Sequence, residues 1–190
     1  SFMESIKGFL QALSVNWECL LVDDGSLDDT FGIVQNLADQ DVRIKGIQFS
    51  KNFGKESAIL AGLKQARGKA VLVMDSDGQH PPEIIADMYE LWKSGQAELV
   101  LGVKANRSQD SLFQKYRADI FNFLMNKATG LDLTNASDYQ LLDRKVVDAL
   151  LEFGERNRFF RGLSRWTGFK IEQVPFSEIG RASCRERVYT

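Results

Sequence analysis

Ala70-Val71-Leu72-Val73-Met74 runs without a break into Asp75-Ser76-Asp77-Gly78-Gln79, and the class of fold follows from that junction. Five apolar residues with no polar alternation predict a short strand buried on both faces, as in a parallel sheet with helices above and below. The acidic turn after it sets charge at the carboxyl end of the strand, the edge where open α/β sheets bind ligands. Upstream, Gly54 to Ala66 carries Ala58, Ile59, Ala61, Leu63 and Ala66 at helical spacing and closes at Gly68. Downstream, Pro81-Pro82 opens a helix to Lys93, with Pro82 suited to a first turn, and Leu99 to Val103 is a further strand.

Further out the pattern repeats. Trp17 to Val22 reads as a strand running into Asp23-Asp24-Gly25-Ser26. Asp28 or Asp29 caps a helix through about Ala38, and Arg43 to Phe49 alternates as a strand. Phe2, Ile6, Phe9, Leu10 and Leu13 make an amphipathic first helix. After Gly102 come a helix over 112–128, a polar loop, the apolar stretch Tyr139 to Leu142, a helix from Asp143 to Phe153, a short helix over 159–166 and a strand from Phe169 to Phe176. Strands alternating with helices predict an α/β domain with a mostly parallel, doubly wound sheet. Such a domain ordinarily sets a strand before its first helix, so a first strand is expected ahead of Phe2.

The chain has 190 residues, 44% hydrophobic and 26% charged, with 15 glycines and 3 prolines. That is the usage of a globular domain and excludes collagen, coiled coil and extended disorder. A net charge of −2 provides no basic excess for a general phosphate-backbone binder, so nucleic acid is not an expected partner. The single histidine excludes a multi-histidine metal site. Cys19 and Cys184 allow at most one bridge, so this is no disulfide scaffold, and a reducing compartment is expected. No apolar run approaches the ~18 residues of a membrane-spanning helix. The stretch 178–190 resembles a translated sequencing-library adapter; it is set apart as a non-native tail, leaving 1–177 as the domain to be read.

Asp75, Asp77 and Gln79 alternate, so in extended chain they would offer oxygen ligands to one spot. Magnesium takes one or two carboxylates plus substrate phosphates, and this set suits it; an ordinary acidic turn is the plainer alternative. Asp23 and Asp24 end a different strand, where a carboxylate could accept from a nucleobase or ribose, or simply form an Asp-Gly turn. Lys51-Asn52-Phe53-Gly54-Lys55 precedes a helix whose N-terminus favours an anion. It is no P-loop, because Phe49 stands where the first glycine is needed, and no G-x-G-x-x-G occurs. Asp138 could orient a nucleophile or cap a turn. Lys104, Arg107, Lys115 and Arg117 form a loose basic group, by default a solvated face. Arg158, Arg161 and Arg165 recur beside Phe159, Phe160, Leu163 and Trp166, a mix suited to a lipid–water interface or to a packed surface helix. His80 and Cys19 read as structural.

Taken together, Val22-Asp23-Asp24-Gly25-Ser26, Lys51-Asn52-Phe53-Gly54-Lys55-Glu56-Ser57-Ala58 and Met74-Asp75-Ser76-Asp77-Gly78-Gln79-His80-Pro81-Pro82-Glu83 resemble the family 2 glycosyltransferases. Within them they are similar to the polyprenyl-phosphate hexosyltransferases, the bactoprenol glucosyltransferases and dolichol-phosphate mannose synthases. Phe159-Phe160-Arg161-Gly162-Leu163 and Trp166-Thr167-Gly168 are similar to the bactoprenol branch. The resemblance implies a GT-A fold with its first strand missing, and a partial catalytic domain over 1–177. It implies that Asp24 reads the base of the donor, with Asp23, Ser26, Gly54 and Lys55 nearby. Asp75, Asp77 and Gln79 would hold Mg2+ or Mn2+ on the donor diphosphate. Lys104 would approach the reacting phosphates, Lys115, Arg117 and Arg161 would meet the acceptor phosphate, and Asp138 would be catalytic.

Two departures stand out: Gly78 replaces a usual leucine, and Tyr139-Gln140 a usual Phe-Arg. The implied partners are a UDP- or GDP-hexose, UDP-glucose favoured, and a polyprenyl phosphate at the cytoplasmic face of a membrane; the fragment itself is expected in solution, and homo-oligomerisation is left open. The implied reaction is an inverting displacement at the anomeric carbon. Its rivals are a soluble family 2 transferase acting on a sugar hydroxyl, a haloacid-dehalogenase-like phosphatase and a non-catalytic nucleotide-binding module. The phosphatase wants Thr or Val at Gln79 and an early Asp-x-Asp strand, and neither holds.

Overall fold

The computed structural model describes residues 2–76, 78, 80–104, 138–152 and 168–177. The helices expected over 112–128 and 159–166 and the tail from 178 lie outside these residues, as do Asp77, Gln79, Lys115, Arg117 and Arg161. The elements run α1 (Phe2–Ala12), β1 (Cys19–Asp23), α2 (Thr30–Gln40), β2 (Ile44–Gln48), α3 (Lys55–Gln65), β3 (Ala70–Val73), α4 (Ile84–Lys93), β4 (Leu99–Lys104), β5 (Gln140–Asp143), α5 (Arg144–Glu152) and β6 (Ile171–Phe176). At the start of α2, Asp29 occupies the cap position without a side-chain bond, while Asp28 Oδ1 accepts the Thr30 amide at 3.1 Å.

β1 and β2 pair in parallel, with Cys19 opposite Ile44 and Asp23 opposite Gln48. The second sheet has the order β3-β5-β4-β6. β4 and β6 are parallel, whereas β5 runs antiparallel to both β3 and β4. β3 therefore differs from the buried parallel strand that its composition predicts. Its four residues are half-buried, and it is hydrogen-bonded, among the described strands, to the antiparallel β5. The apolar run reports two covered faces, and covered faces carry no information about the direction of a neighbouring strand.

Helices cover both faces. On one, Ile84, Ile85 and Met88 of α4 pack with Val100, Leu141, Val174 and Phe176, and Leu72 joins them. On the other, Leu63 of α3 and Val146, Val147 and Leu150 of α5 pack with Leu99, Leu101 and Leu142, joined by Val71 and Val73. Alternation along β3, β4 and β5 thus feeds two cores, one per face. Pro175 is tolerated in β6 because that strand lies at the end of the sheet order.

The helix α3 bridges the two sheets. Its Leu63 belongs to the second core, while a Cβ at Gly62 would lie 3.6 Å from Val22 of β1. Its N-terminus consequently sits where carboxyl ends from both sheets meet.

Candidate functional site

In the second sheet Val73 and Leu101 both lie opposite Gln140, from either side. The carboxyl ends of β3 and β4 and the approach to β5 therefore share one edge, which carries Asp75, Lys104 and Asp138. The first residue of α3, Lys55, reaches that edge from the side of the first sheet. Its ammonium lies 2.7 Å from each oxygen of Asp75 and 2.6 Å from Asp138 Oδ2. The Asp138 side chain is 5% exposed, and a carboxylate so far from water requires a compensating positive charge or hydrogen bonds. Burial alone would push the Lys55 ammonium down, but its bonds to Asp138 and Asp75 outweigh this and hold it above the usual lysine range.

The root of Lys55 is fixed from β1. Asp24 Oδ1 accepts the Phe53 amide at 2.7 Å and Oδ2 accepts the Gly54 amide at 2.9 Å. Gly54 has φ +93°, a conformation that L side chains rarely adopt. Beside it, Asp23 Oδ1 accepts the Ser26 amide at 3.1 Å and also the Ser26 hydroxyl, and Gln48 Nε2 donates to Asp23 Oδ2 at 3.4 Å. Asp24, the residue that the resemblance assigns to the base, is thus bonded to the loop 53–54. Asp23 and Ser26 are bonded to each other.

Below Asp75 lies an aromatic floor. The Asp75 amide donates to His80 Nδ1 at 3.1 Å, and the His80 ring stacks on Tyr139 with centroids 4.6 Å apart. Phe176 meets both rings edge-on. Tyr139 is fully buried and donates its hydroxyl to the Pro81 carbonyl at 3.0 Å. His80, read from sequence as structural, is buried and shapes the turn that carries Asp75.

Of the three residues expected to alternate over 75–79, Asp77 and Gln79 lie outside the described residues. The strand ends at Val73, Ser76 lies in a turn, and Gly78 takes φ +74°. Glycine is the residue that adopts such a positive φ without steric cost. Lys104 ends β4 in an exposed position on the same edge.

Among the described residues no three His, Cys, Asp or Glu side chains could hold a metal by themselves. The donor chemistry nevertheless fits a divalent ion. Asp75 and Asp138 already converge on a positive charge, and Mg2+ and similar ions complete their shell with water and substrate phosphate. Sequence reading singled out Lys55, Asp75 and Asp138 separately but missed their contact. It also missed Gln48 against Asp23 and His80 beneath Asp75, for which spacing provides no signal.

The sequence profile of the family Glycosyl transferase family 2 matches residues 3–151. The chain is 39% identical over 174 residues to the uncharacterized glycosyltransferase YkcC of Bacillus subtilis strain 168, covering 91% of this chain and 54% of that protein. It is 35% identical over 181 residues to the prophage bactoprenol glucosyl transferase homolog of Escherichia coli K12, covering 95% and 59%. It therefore spans little more than half the length of these relatives. Glucosyl-3-phosphoglycerate synthase of Mycobacterium tuberculosis, solved with Mn2+, UDP-glucose and glycerol 3-phosphate, has a TM-score of 0.57 at 19% identity, covering 93% of this chain and 67% of that one. That likeness concerns the fold alone, which is GT-A, and the match over 3–151 carries the family: the chain belongs to glycosyl transferase family 2.

Proposed function

We propose that the chain is part of an enzyme that transfers a hexose, with inversion, from a nucleotide-sugar to a polyprenyl phosphate, and that UDP-glucose is the donor. The observation that carries this reading is the meeting of Asp75, Asp138 and Lys55 at the carboxyl edge of the sheet, where α/β sheets receive nucleotides. The similarity to the Escherichia coli bactoprenol glucosyl transferase homolog supports glucose and a polyprenyl acceptor. On this reading residues 1–177 are the partial catalytic domain and 178–190 a non-native tail. The whole protein would act at the cytoplasmic face of a membrane. Among the described residues no helix is long and apolar enough to cross one.

Asp75, with Asp77 and Gln79, would hold Mg2+ or Mn2+, which when bound stabilises the charge developing on the departing diphosphate. Lys55 and Lys104 would hold donor phosphate oxygens; Lys115, Arg117 and Arg161 would hold the acceptor. A phosphate monoester with a second pKa near ~6 is already mostly ionised at neutral pH. Its oxygen then attacks the anomeric carbon as the diphosphate leaves from the opposite face, and no strong general base is needed. Asp138 would orient the reacting groups.

Calorimetric titration with UDP and GDP, with Mn2+ or chelator, in wild type and Asp77→Ala, tests the donor site. Metal-dependent binding of UDP, lost in the variant, is expected. Metal-independent binding that survives Asp77→Ala would count against it. Transfer of glucose from UDP-glucose to a polyprenyl phosphate, assayed on the whole protein, tests the acceptor.

A further inference from the structure

We propose that Lys55 is a positioning residue that acts as a resident cation, clamping Asp75 to Asp138 before the donor arrives and competing with the metal ion for Asp75. This deepens the reading above and rests on Asp75 being a metal ligand. A lysine ammonium has three donors, and three oxygens lie within 2.7 Å of Nζ: both of Asp75 and one of Asp138. The two carboxylates differ in access. Asp138 is 5% exposed and Asp75 36%, so Asp75 is the partner that solvent and an incoming ion can reach.

Two negative charges facing one positive charge leave a site that attracts a cation but resists a bare one, because the ammonium repels it and occupies the ligand oxygens. An ion that arrives with a diphosphate alters this balance. With an ion held on Asp75, two of the lysine donors would be available to the phosphate oxygens of the diphosphate, while Asp138 would retain the third. The clamp therefore favours the metal–donor complex over free metal. The fixed root of Lys55, set by Gly54 and the hold of Asp24 on two amides, keeps the ammonium at this spot.

Mn2+ binding to the full 190-residue chain, followed by the electron spin resonance signal of the free ion and without nucleotide, tests the clamp. Lys55→Met is expected to bind Mn2+ about three- to tenfold more tightly than wild type. Lys55→Arg, which keeps the charge, should stay within about twofold, given the same electrostatics. A role in folding alone would not raise metal affinity. Circular dichroism checks folding, and Lys55→Gln, which keeps a polar end against Asp138, serves where Lys55→Met does not fold. Unchanged or weaker Mn2+ binding in the folded neutral variant overturns the clamp and leaves the metal reading standing. No Mn2+ binding by any variant, with or without UDP, overturns both.

Discussion

Asp24, the residue after β1, holds the amide of Gly54 at 2.9 Å, and through it the first residue of α3. This bond, with its partner to Phe53, joins the first sheet to the edge where Asp75 and Asp138 meet. Hydrogen bonds to a charged acceptor contribute about 1.5–3 kcal/mol each when well formed, and less where water competes. Asp24→Ala should therefore destabilise the fold by about 1–3 kcal/mol, read as a lower denaturant midpoint at unchanged slope. A residue serving only to read a base would show lost nucleotide affinity with an unmoved midpoint.

Gly25 makes a second junction in the same place. A Cβ there would lie 2.4 Å from the Lys51 carbonyl carbon and 2.8 Å from the Asn52 nitrogen, and its φ is +74°. Gly95 has the same φ but open space around its Cβ position. The two glycines separate backbone strain from collision. Gly95→Ala should cost about 1–2 kcal/mol, the usual penalty for an L-residue in that region. Gly25→Ala should cost clearly more, because two backbone segments must part. Equal losses in chemical denaturation would show that the turn 24–26 does not pack on the loop 51–52 as described.

How much of this could be read from sequence differs by kind of information. Strands such as Leu99–Lys104 and the helix Lys55–Gln65 were legible because burial leaves a period in the chain. The direction of β5 was not: Gln140-Leu141-Leu142-Asp143 has the same composition whichever way it runs. That the acidic strand ends lie close together was legible, since α/β topology brings carboxyl ends to one side. The bridging of Asp75 and Asp138 by Lys55 was not, because it depends on where α3 crosses between two sheets. The Asp75–Gln79 alternation rests on Asp77 and Gln79, which lie outside the described residues; near them Ser76 lies in a turn and Gly78 takes a positive φ.

Tyr139 links the site to alkaline stability. Burial, reinforced by Glu83, pushes its phenol well above the usual value near 10. In the unfolded chain the same phenol ionises near pH 10. Between these values the unfolded state binds fewer protons than the folded one, so stability falls as pH rises. Its contribution is fully present below pH 10 and is lost progressively above it. Tyr139→Phe should remove this slope from the stability–pH profile above 10, while costing about 1 kcal/mol at neutral pH for the bond to Pro81. A profile that keeps its slope in the variant would assign alkaline unfolding to other groups.

Cys19 is expected to be inert. Burial pushes its thiol up to about 11, and the thiolate is the reactive form. At pH 8 iodoacetamide should leave Cys19 unmodified in the native chain over a time in which urea-unfolded chain reacts fully. Peptide mapping separates it from Cys184. Equal reactivity in both states would mean that the first sheet opens readily.

The ion pair between Lys55 and Asp138 also orders the catalytic effects of two carboxylates. For Asp138 to take a proton from an acceptor, it would have to give up an ammonium 2.6 Å away, and an ionised phosphate has no proton that needs removing. A positional Asp138 is thus the economical reading. Asp138→Asn keeps the shape and one acceptor oxygen against Lys55, whereas Asp77→Asn removes a proposed metal ligand and the charge stabilisation that the ion supplies. In a glucose-transfer assay on the whole protein, Asp138→Asn should retain more activity than Asp77→Asn, with the larger loss in Asp77→Asn only partly recovered at high Mn2+. The reverse ranking would make Asp138 the proton acceptor and require an acceptor that arrives protonated, as a sugar hydroxyl does.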